Sequence, residues 1–127
     1  MEKPLKILAV DDDFINLKLI SSMLRKNTQV GTIVEATNGL DAIHILKIQG
    51  DIDLILLDIK MPVMDGIEFL INVQSMIEFK KIPIIVLTTD ETRKHEAFDH
   101  GAFDFLVKPI REHDLSSKIA NVANLYS

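Results

Sequence analysis

A carboxylate stands at the end of the most apolar part of the chain. Four apolar residues, 54–57, run directly into Asp58, and Pro62 follows four residues later. A continuous apolar run of this length predicts a strand that is buried on both faces. Because an ionised carboxylate is costly to bury, we expect Asp58 to lie where the strand ends and the chain opens toward water. The carboxyl end of a central strand is where open α/β sheets place their functional groups.

Other polar side chains also follow apolar segments. Asp11 and Asp12 end the first such segment, Thr88 ends the fourth and Lys108 ends the fifth. In a parallel sheet these groups and Asp58 would share one crevice. Carboxylates packed together raise one another's pKa unless a cation is bound, and oxygen ligands without histidine favour Mg²⁺, with Mn²⁺ second. A lysine amine and a hydroxyl beside such a site suit the oxygens of a phosphoryl group.

Five short apolar segments predict the strands that position these groups. They are residues 5–10, 31–36, 54–57, 83–87 and 103–107. The segments between them carry apolar residues at helical spacing. These residues are Phe14, Leu17, Ile20 and Leu24 in the first helix, Ala42, Ile45 and Leu46 in the second, Ile67, Leu70 and Ile71 in the third, Ala97 and Phe98 in the fourth, and Leu115, Ile119, Val122 and Ala123 in the fifth.

Strict alternation of strands and helices predicts an α/β fold. We expect a doubly wound, five-stranded parallel sheet of the flavodoxin-like type, with strand order 2-1-3-4-5 and helices on both faces. Asp13 is the expected N-cap of the first helix, and Gly50 and Gly101 are expected to end the second and fourth. The fourth helix has the weakest apolar face, so it should be the least firmly docked.

The composition is that of an ordinary globular domain. The chain has 127 residues, of which 47% are hydrophobic and 26% charged, so we expect one domain over residues 1–127, with flexible ends at about residues 1–4 and 124–127. The net charge of −5 argues against direct binding to nucleic acid or to an anionic membrane. There is no cysteine and no apolar run of membrane-spanning length, so we expect a soluble, cytoplasmic protein.

The sequence resembles the receiver domains of two-component response regulators over essentially its whole length. The resemblance is carried by five segments: residues 7–13, 35–39, 58–66, 83–88 and the pair Lys108-Pro109. One such segment would be weak evidence. All five occur in the right order, each at a predicted strand end or helix start.

The resemblance implies a role for each site residue. Asp58 would be the phosphoacceptor, taking a phosphoryl group from a histidine kinase or a histidine phosphotransfer protein. Asp12, Asp58 and the backbone carbonyl of Lys60 would ligate Mg²⁺ directly, while Asp11 would act mainly through a water molecule. Lys108 would contact Asp58 before phosphorylation and the phosphoryl oxygens afterwards.

The resemblance also implies a conformational switch. Thr88 would move its hydroxyl to the phosphoryl group, and the rotamer of Phe105 would follow. These movements would alter a surface made by the fourth helix, fifth strand and fifth helix, which would contact an unknown output partner or a second copy. The domain would then be a monomer or a phosphorylation-dependent dimer. It would not be an enzyme, apart from slow hydrolysis of its own aspartyl phosphate. The Lys108-Pro109 bond would be cis.

Three residues near the site depart from the usual pattern of the family. Thr89 follows Thr88 where a smaller residue is usual, so we expect Thr89 to narrow access to Asp58 and slow phosphorylation by small donors. Lys60 and Asp90 lie two residues beyond Asp58 and Thr88, and the geometry of the family places them across the mouth of the site. We expect them to form an ion pair that hinders attacking water and lengthens the phosphorylated lifetime.

Other functions fit the same pattern less well. A phosphorylation-independent interaction module on this fold would not need the acids, Thr88 and Lys108 together. A Mg²⁺-dependent phosphatase with an aspartyl nucleophile needs a second acid two residues further on, where this chain has Lys60. A flavin-binding domain would end its first strand in a phosphate-cradling loop and not in three acids. The chain could also be a receiver fragment of a hybrid kinase or of a larger regulator.

Overall fold

Five parallel strands form the central sheet of the computed structural model, which describes residues 3–127. The strands are β1 (Leu5–Val10), β2 (Val30–Ala36), β3 (Leu54–Asp58), β4 (Ile84–Thr88) and β5 (Asp104–Val107). Their order in the sheet is β2-β1-β3-β4-β5, which confirms the predicted topology. The predicted strand bounds differ from these by about one residue.

Five helices connect the strands. They are α1 (Phe14–Arg25), α2 (Gly39–Ile48), α3 (Gly66–Gln74), α4 (Lys94–Asp99) and α5 (Glu112–Leu125). A short 3-10 turn, Glu91–Arg93, leads from β4 into α4. Within the described residues no helix is both long enough and apolar enough to cross a membrane.

The sheet separates two apolar layers. Alternate residues of β3 point to opposite faces, so Ile55 and Leu57 join the layer under α2, α3 and α4. Leu54 and Leu56 join the layer under α1 and α5. The continuous apolar run before Asp58 is therefore explained by burial on both faces of a central strand.

Some predicted core residues proved to be wrong. Phe14 is 66% exposed because α1 begins at this residue, and the buried stripe of α1 takes in the polar Ser21 instead. In α3, Phe69 and Val73 are buried where Ile71 had been expected. In α2, Ile45 is only half-buried and Ile43 is buried instead. In α4, Phe98 is exposed.

The helix starts follow the local sequence. Asp13 accepts hydrogen bonds from the amides of Ile15 at 2.9 Å and Asn16 at 3.4 Å, which confirms it as the N-cap of α1. Gly101 follows α4 with a φ of +98°, a conformation that favours glycine. Helix α2 ends at Ile48, two residues before the predicted Gly50.

The predicted flexible ends lie partly outside the described residues, since residues 1 and 2 are not among them. At the other end, α5 continues to Leu125, and the hydroxyl of Tyr126 donates to the carbonyl of Asp53 at 2.7 Å. The flexibility of both ends stays a prediction, as does the single domain over residues 1–127.

Candidate functional site

Asp58 is the last residue of β3 and is only 7% exposed. The sequence placed it at the strand end, which is correct, and its carboxylate is almost completely buried there although the neighbouring Asp12 and Lys60 are exposed. Its Oδ1 accepts a hydrogen bond from the amide of Ile59 at 2.9 Å. Burial raises its pKa from 3.8 to about 6, with further raising by the charges of Asp11 and Asp12 and opposition from the charge of Lys108.

The three candidate ligands converge at the ends of two adjacent strands. The register that pairs Val10 with Leu57 brings Asp11 and Asp58 side by side. Oxygen atoms of Asp11, Asp12 and Asp58 all lie within 4.8 Å of one another. Asp11 is buried, while Asp12 is exposed and opens the cluster to solvent. Three carboxylates at this spacing provide the all-oxygen, negatively charged environment that a hard divalent cation prefers, so these residues fit Mg²⁺.

Lys108 lies between two of these carboxylates. Its Nζ donates to Asp11 Oδ2 at 2.9 Å and is 3.6 Å from Asp58 Oδ1. The backbone amide of Lys108 donates to the carbonyl of Thr88 at 2.8 Å, which fixes the chain where β5 ends. The Lys108-Pro109 bond is cis, as predicted. The expected contact with Asp58 is therefore present. The shorter contact with Asp11 was not predicted, because β4 lies between β5 and the strands that carry the two acids, and the strand order does not show how far the lysine side chain reaches.

Thr88 and Phe105 occupy neighbouring strands. Thr88 ends β4 and is 1% exposed, and its Oγ1 accepts a hydrogen bond from the amide of Asp90 at 3.2 Å. Within residues 3–127 the Thr88 hydroxyl donates no hydrogen bond, so its proton remains available for an anionic acceptor. Phe105 is 7% exposed and packs in the apolar layer under α2, α3 and α4.

The residues expected at the mouth of the site are arranged differently from the prediction. Lys60 and Thr89 are both exposed. Among the described side chains, however, Asp90 forms no ion pair with Lys60. Asp90 Oδ1 accepts hydrogen bonds from the amide of Thr92 at 3.0 Å and from the Thr92 hydroxyl.

These bonds are the main reason that the pKa of Asp90 is lowered, and the charge of Lys60 contributes less. Asp90 is thus the N-cap of the 3-10 turn before α4. An aspartate immediately before the polar sequence Glu-Thr-Arg is a pattern that predicts an N-cap, and the sequence interpretation missed it.

Comparison with known proteins identifies the family of the chain. The sequence matches the family described as "Response regulator receiver domain" over residues 7–120. Chemotaxis protein CheY-3 of Vibrio cholerae is 34% identical over 128 residues, covering 96% of this chain and 94% of that protein. The two-component response regulator ORR3 of Oryza sativa subsp. indica is 34% identical over 112 residues, covering 87% of this chain and 84% of that protein.

Solved structures agree with the sequence matches. The chemotaxis response regulator CheY4 of Vibrio cholerae has a TM-score of 0.85 and 31% identity, covering 94% of this chain and 99% of that one. The receiver domain of the sensor histidine kinase PA1611 of Pseudomonas aeruginosa PAO1, solved with a magnesium ion coordinated in its active site cleft, has a TM-score of 0.85 and 25% identity, covering 96% and 99%. The chain belongs to the response regulator receiver domain family of two-component signalling proteins.

Proposed function

We propose that this receiver domain is a phosphorylation-dependent switch whose phosphoacceptor is Asp58. Receiver domains interact with histidine kinases or phosphotransfer proteins and with output domains. The observation that carries the proposal is the meeting of a buried carboxylate, Asp58, with two further acids and Lys108 in one crevice. Such a site is electrostatically incomplete, because three acids face a single lysine.

A divalent cation would complete the charge balance. Asp11, Asp12, Asp58 and the backbone carbonyl of Lys60 are the groups that we propose hold Mg²⁺, with Mn²⁺ as the second choice. When bound, Mg²⁺ supplies positive charge to the phosphoryl oxygens and offsets the repulsion between them and the carboxylate nucleophile.

Asp58 attacks as the ionised carboxylate. A bond forms from one of its side-chain oxygens to phosphorus as the bond from phosphorus to the donor's histidine nitrogen breaks. Lys108, already 3.6 Å from Asp58 Oδ1, moves its ammonium from Asp11 toward the incoming phosphoryl oxygens. Water then hydrolyses the aspartyl phosphate slowly, which limits the signal in time.

The switch follows from the free hydroxyl proton of Thr88. That proton is donated to a phosphoryl oxygen, and the ring of Phe105 adjusts to the new position of Thr88. We propose that the surface formed by α4, β5 and α5 then changes its affinity for an output partner or for a second copy of the chain. Lys60 and Thr89, which are exposed beside the site, are proposed to set the phosphorylated lifetime and the access of donors.

Labelling with radioactive acetyl phosphate tests the proposal. Wild-type protein with Mg²⁺ should incorporate base-labile label, and chelation of the metal should prevent it. Asp58→Asn should remove the label, and Glu78→Gln, which neutralises an exposed carboxylate outside the site, should label like wild type. Equal labelling of Asp58→Asn and wild type would show that the acceptor lies elsewhere.

A further inference from the structure

Asp90 is held on two sides at once. Its backbone amide donates to Thr88 Oγ1 at 3.2 Å, so it touches the hydroxyl that is proposed to move on phosphorylation. Its carboxylate accepts from the amide and hydroxyl of Thr92, in the turn that begins the α4 region. Asp90 therefore links the end of β4 to the turn that precedes α4 by hydrogen bonds on both sides.

Hydrogen bonds also connect the turn at residues 91–93 to α4. The amide of Arg93 donates to the carbonyl of Asp90 at 3.2 Å, and Arg93 Nε donates to Glu96 Oε1 in α4 at 2.6 Å. The lowered pKa of Asp90, caused chiefly by the hydrogen bond from Thr92, agrees with a carboxylate engaged in the turn.

Few other contacts hold the N-terminal end of helix α4 in place. Within the described α4, Lys94–Asp99, Ala97 alone is buried, and the residue preceding the helix, Arg93, provides no side-chain cap. The far end is fixed more firmly, because the amide of Phe103, just after α4, donates to the carbonyl of Ile84 in β4 at 2.8 Å and Ala102 is buried. A helix with few buried contacts that is fixed at one end moves most at the other.

We propose that Asp90 is the positioning residue that transmits a change at Thr88 to helix α4. When Thr88 Oγ1 turns toward the phosphoryl group on Asp58, the amide of Asp90 loses its acceptor. The backbone of Asp90 then shifts, and its carboxylate carries Thr92 and the start of α4 with it. This inference rests on the proposed function, since it requires Thr88 to respond to phosphorylation at Asp58.

This transmission from Thr88 through Asp90 to α4 does not depend on a movement of the Phe105 ring. Phe105 already packs in the core, so its side chain has limited room to signal by moving further inward. The hydrogen bonds from Thr92 also explain why, among the described residues, Asp90 forms no ion pair with Lys60: the carboxylate of Asp90 already accepts from Thr92.

Beryllofluoride with Mg²⁺, followed by amide NMR shifts, tests the inference. In wild type, both residues 59–65 beside Asp58 and residues 94–99 of α4 should respond. In Asp90→Ala the response near Asp58 should persist while most of the α4 response is lost. Asp90→Asn should keep the α4 response, because an amide oxygen accepts the same hydrogen bonds from Thr92.

A second variant covers the case in which Asp90→Ala disturbs folding. Thr92→Val removes only the hydroxyl donor and should reduce the α4 response in part. A full α4 response in both Asp90→Ala and Thr92→Val overturns the inference while leaving the proposed function intact, and so does a loss in Asp90→Asn equal to that in Asp90→Ala. No response of wild type at residues 59–65 overturns the proposed function and the inference together.

Discussion

Replacing Asp58 by asparagine should stabilise the metal-free domain at neutral pH. Asparagine has nearly the same shape and keeps an oxygen that accepts from the amide of Ile59, but it removes a charge that is buried at the end of β3. The pKa of Asp58 is raised in the folded state, so folding favours the protonated form. The contribution of Asp58 to stability is therefore fully present below its unfolded-state pKa and is lost as the pH rises through the folded-state pKa.

The magnitude follows from the pKa difference. A rise from 3.8 to about 6 is a difference of about two. At ~1.4 kcal/mol for each unit of pKa, the ionised carboxylate lowers the free energy of unfolding by about 2–3 kcal/mol. The value of about 6 already includes the attraction of Lys108 and the repulsion of Asp11 and Asp12, so these pairs are not counted again.

Urea unfolding followed by far-ultraviolet circular dichroism measures this difference, since the chain has one tyrosine and no tryptophan to report by fluorescence. With a chelator present, Asp58→Asn should exceed wild type by about 2–3 kcal/mol at about pH 7.5, and the gap should shrink markedly toward about pH 4. Saturating Mg²⁺ should stabilise wild type more than the variant. Glu78→Gln, at an exposed position, should match wild type at both pH values. The reasoning would be refuted if Asp58→Asn were no more stable than wild type, or if the difference in unfolding free energy between them did not change with pH.

Three further changes test the surroundings of the site. Gly66→Ala should lower the free energy of unfolding by about 1–3 kcal/mol and reduce labelling from acetyl phosphate, because the added Cβ would overlap the carbonyl oxygen of Asp58. Wild-type values for both quantities would contradict this. Val63→Gly should raise the free energy of unfolding by about 0.5–1 kcal/mol, because Val63 has a φ of 69° and glycine adopts this conformation without strain. The turn is closed by a hydrogen bond from the Met64 amide to the Pro62 carbonyl at 2.8 Å. Val63→Ala keeps a Cβ and should gain less, and equal gains in urea unfolding would count against strain as the cause. Thr89→Ala should speed labelling by acetyl phosphate, and an unchanged rate would remove Thr89 as an access-controlling residue.

The fold could be predicted because the burial of its strands on both faces is visible in short segments of the sequence. Strands buried on both faces leave continuous apolar runs such as residues 54–57, and short connections between alternating elements restrict the topology to few choices. The strand order then brings Asp11, Asp58 and Lys108 to one edge of the sheet. The convergence of the site residues is therefore a consequence of topology, and it needed no knowledge of individual side-chain contacts.

The finer arrangement could not be predicted because it depends on competition between partners. Lys108 has two carboxylates within reach, and only its position relative to both shows that the shorter contact is with Asp11. Asp90 likewise had two candidate partners, a cation across the site and an amide two residues ahead. The local hydrogen bond was formed, because ordering an exposed long side chain for an ion pair gains little free energy.

The unfavourable burial of Asp58 and the light packing of α4 are connected under the proposed function. A ligand shifts a conformational equilibrium only by its difference in affinity for the two states. The acidic cluster makes the metal-free, unphosphorylated site poorly balanced, so adding a cation and a phosphoryl group produces a large change in local energy. Helix α5 buries Leu115 and Ile119 and resists displacement, whereas α4 buries Ala97 alone among its described residues. Under the proposed function, we therefore expect the change at Asp58 to move α4, through Asp90, more than α5.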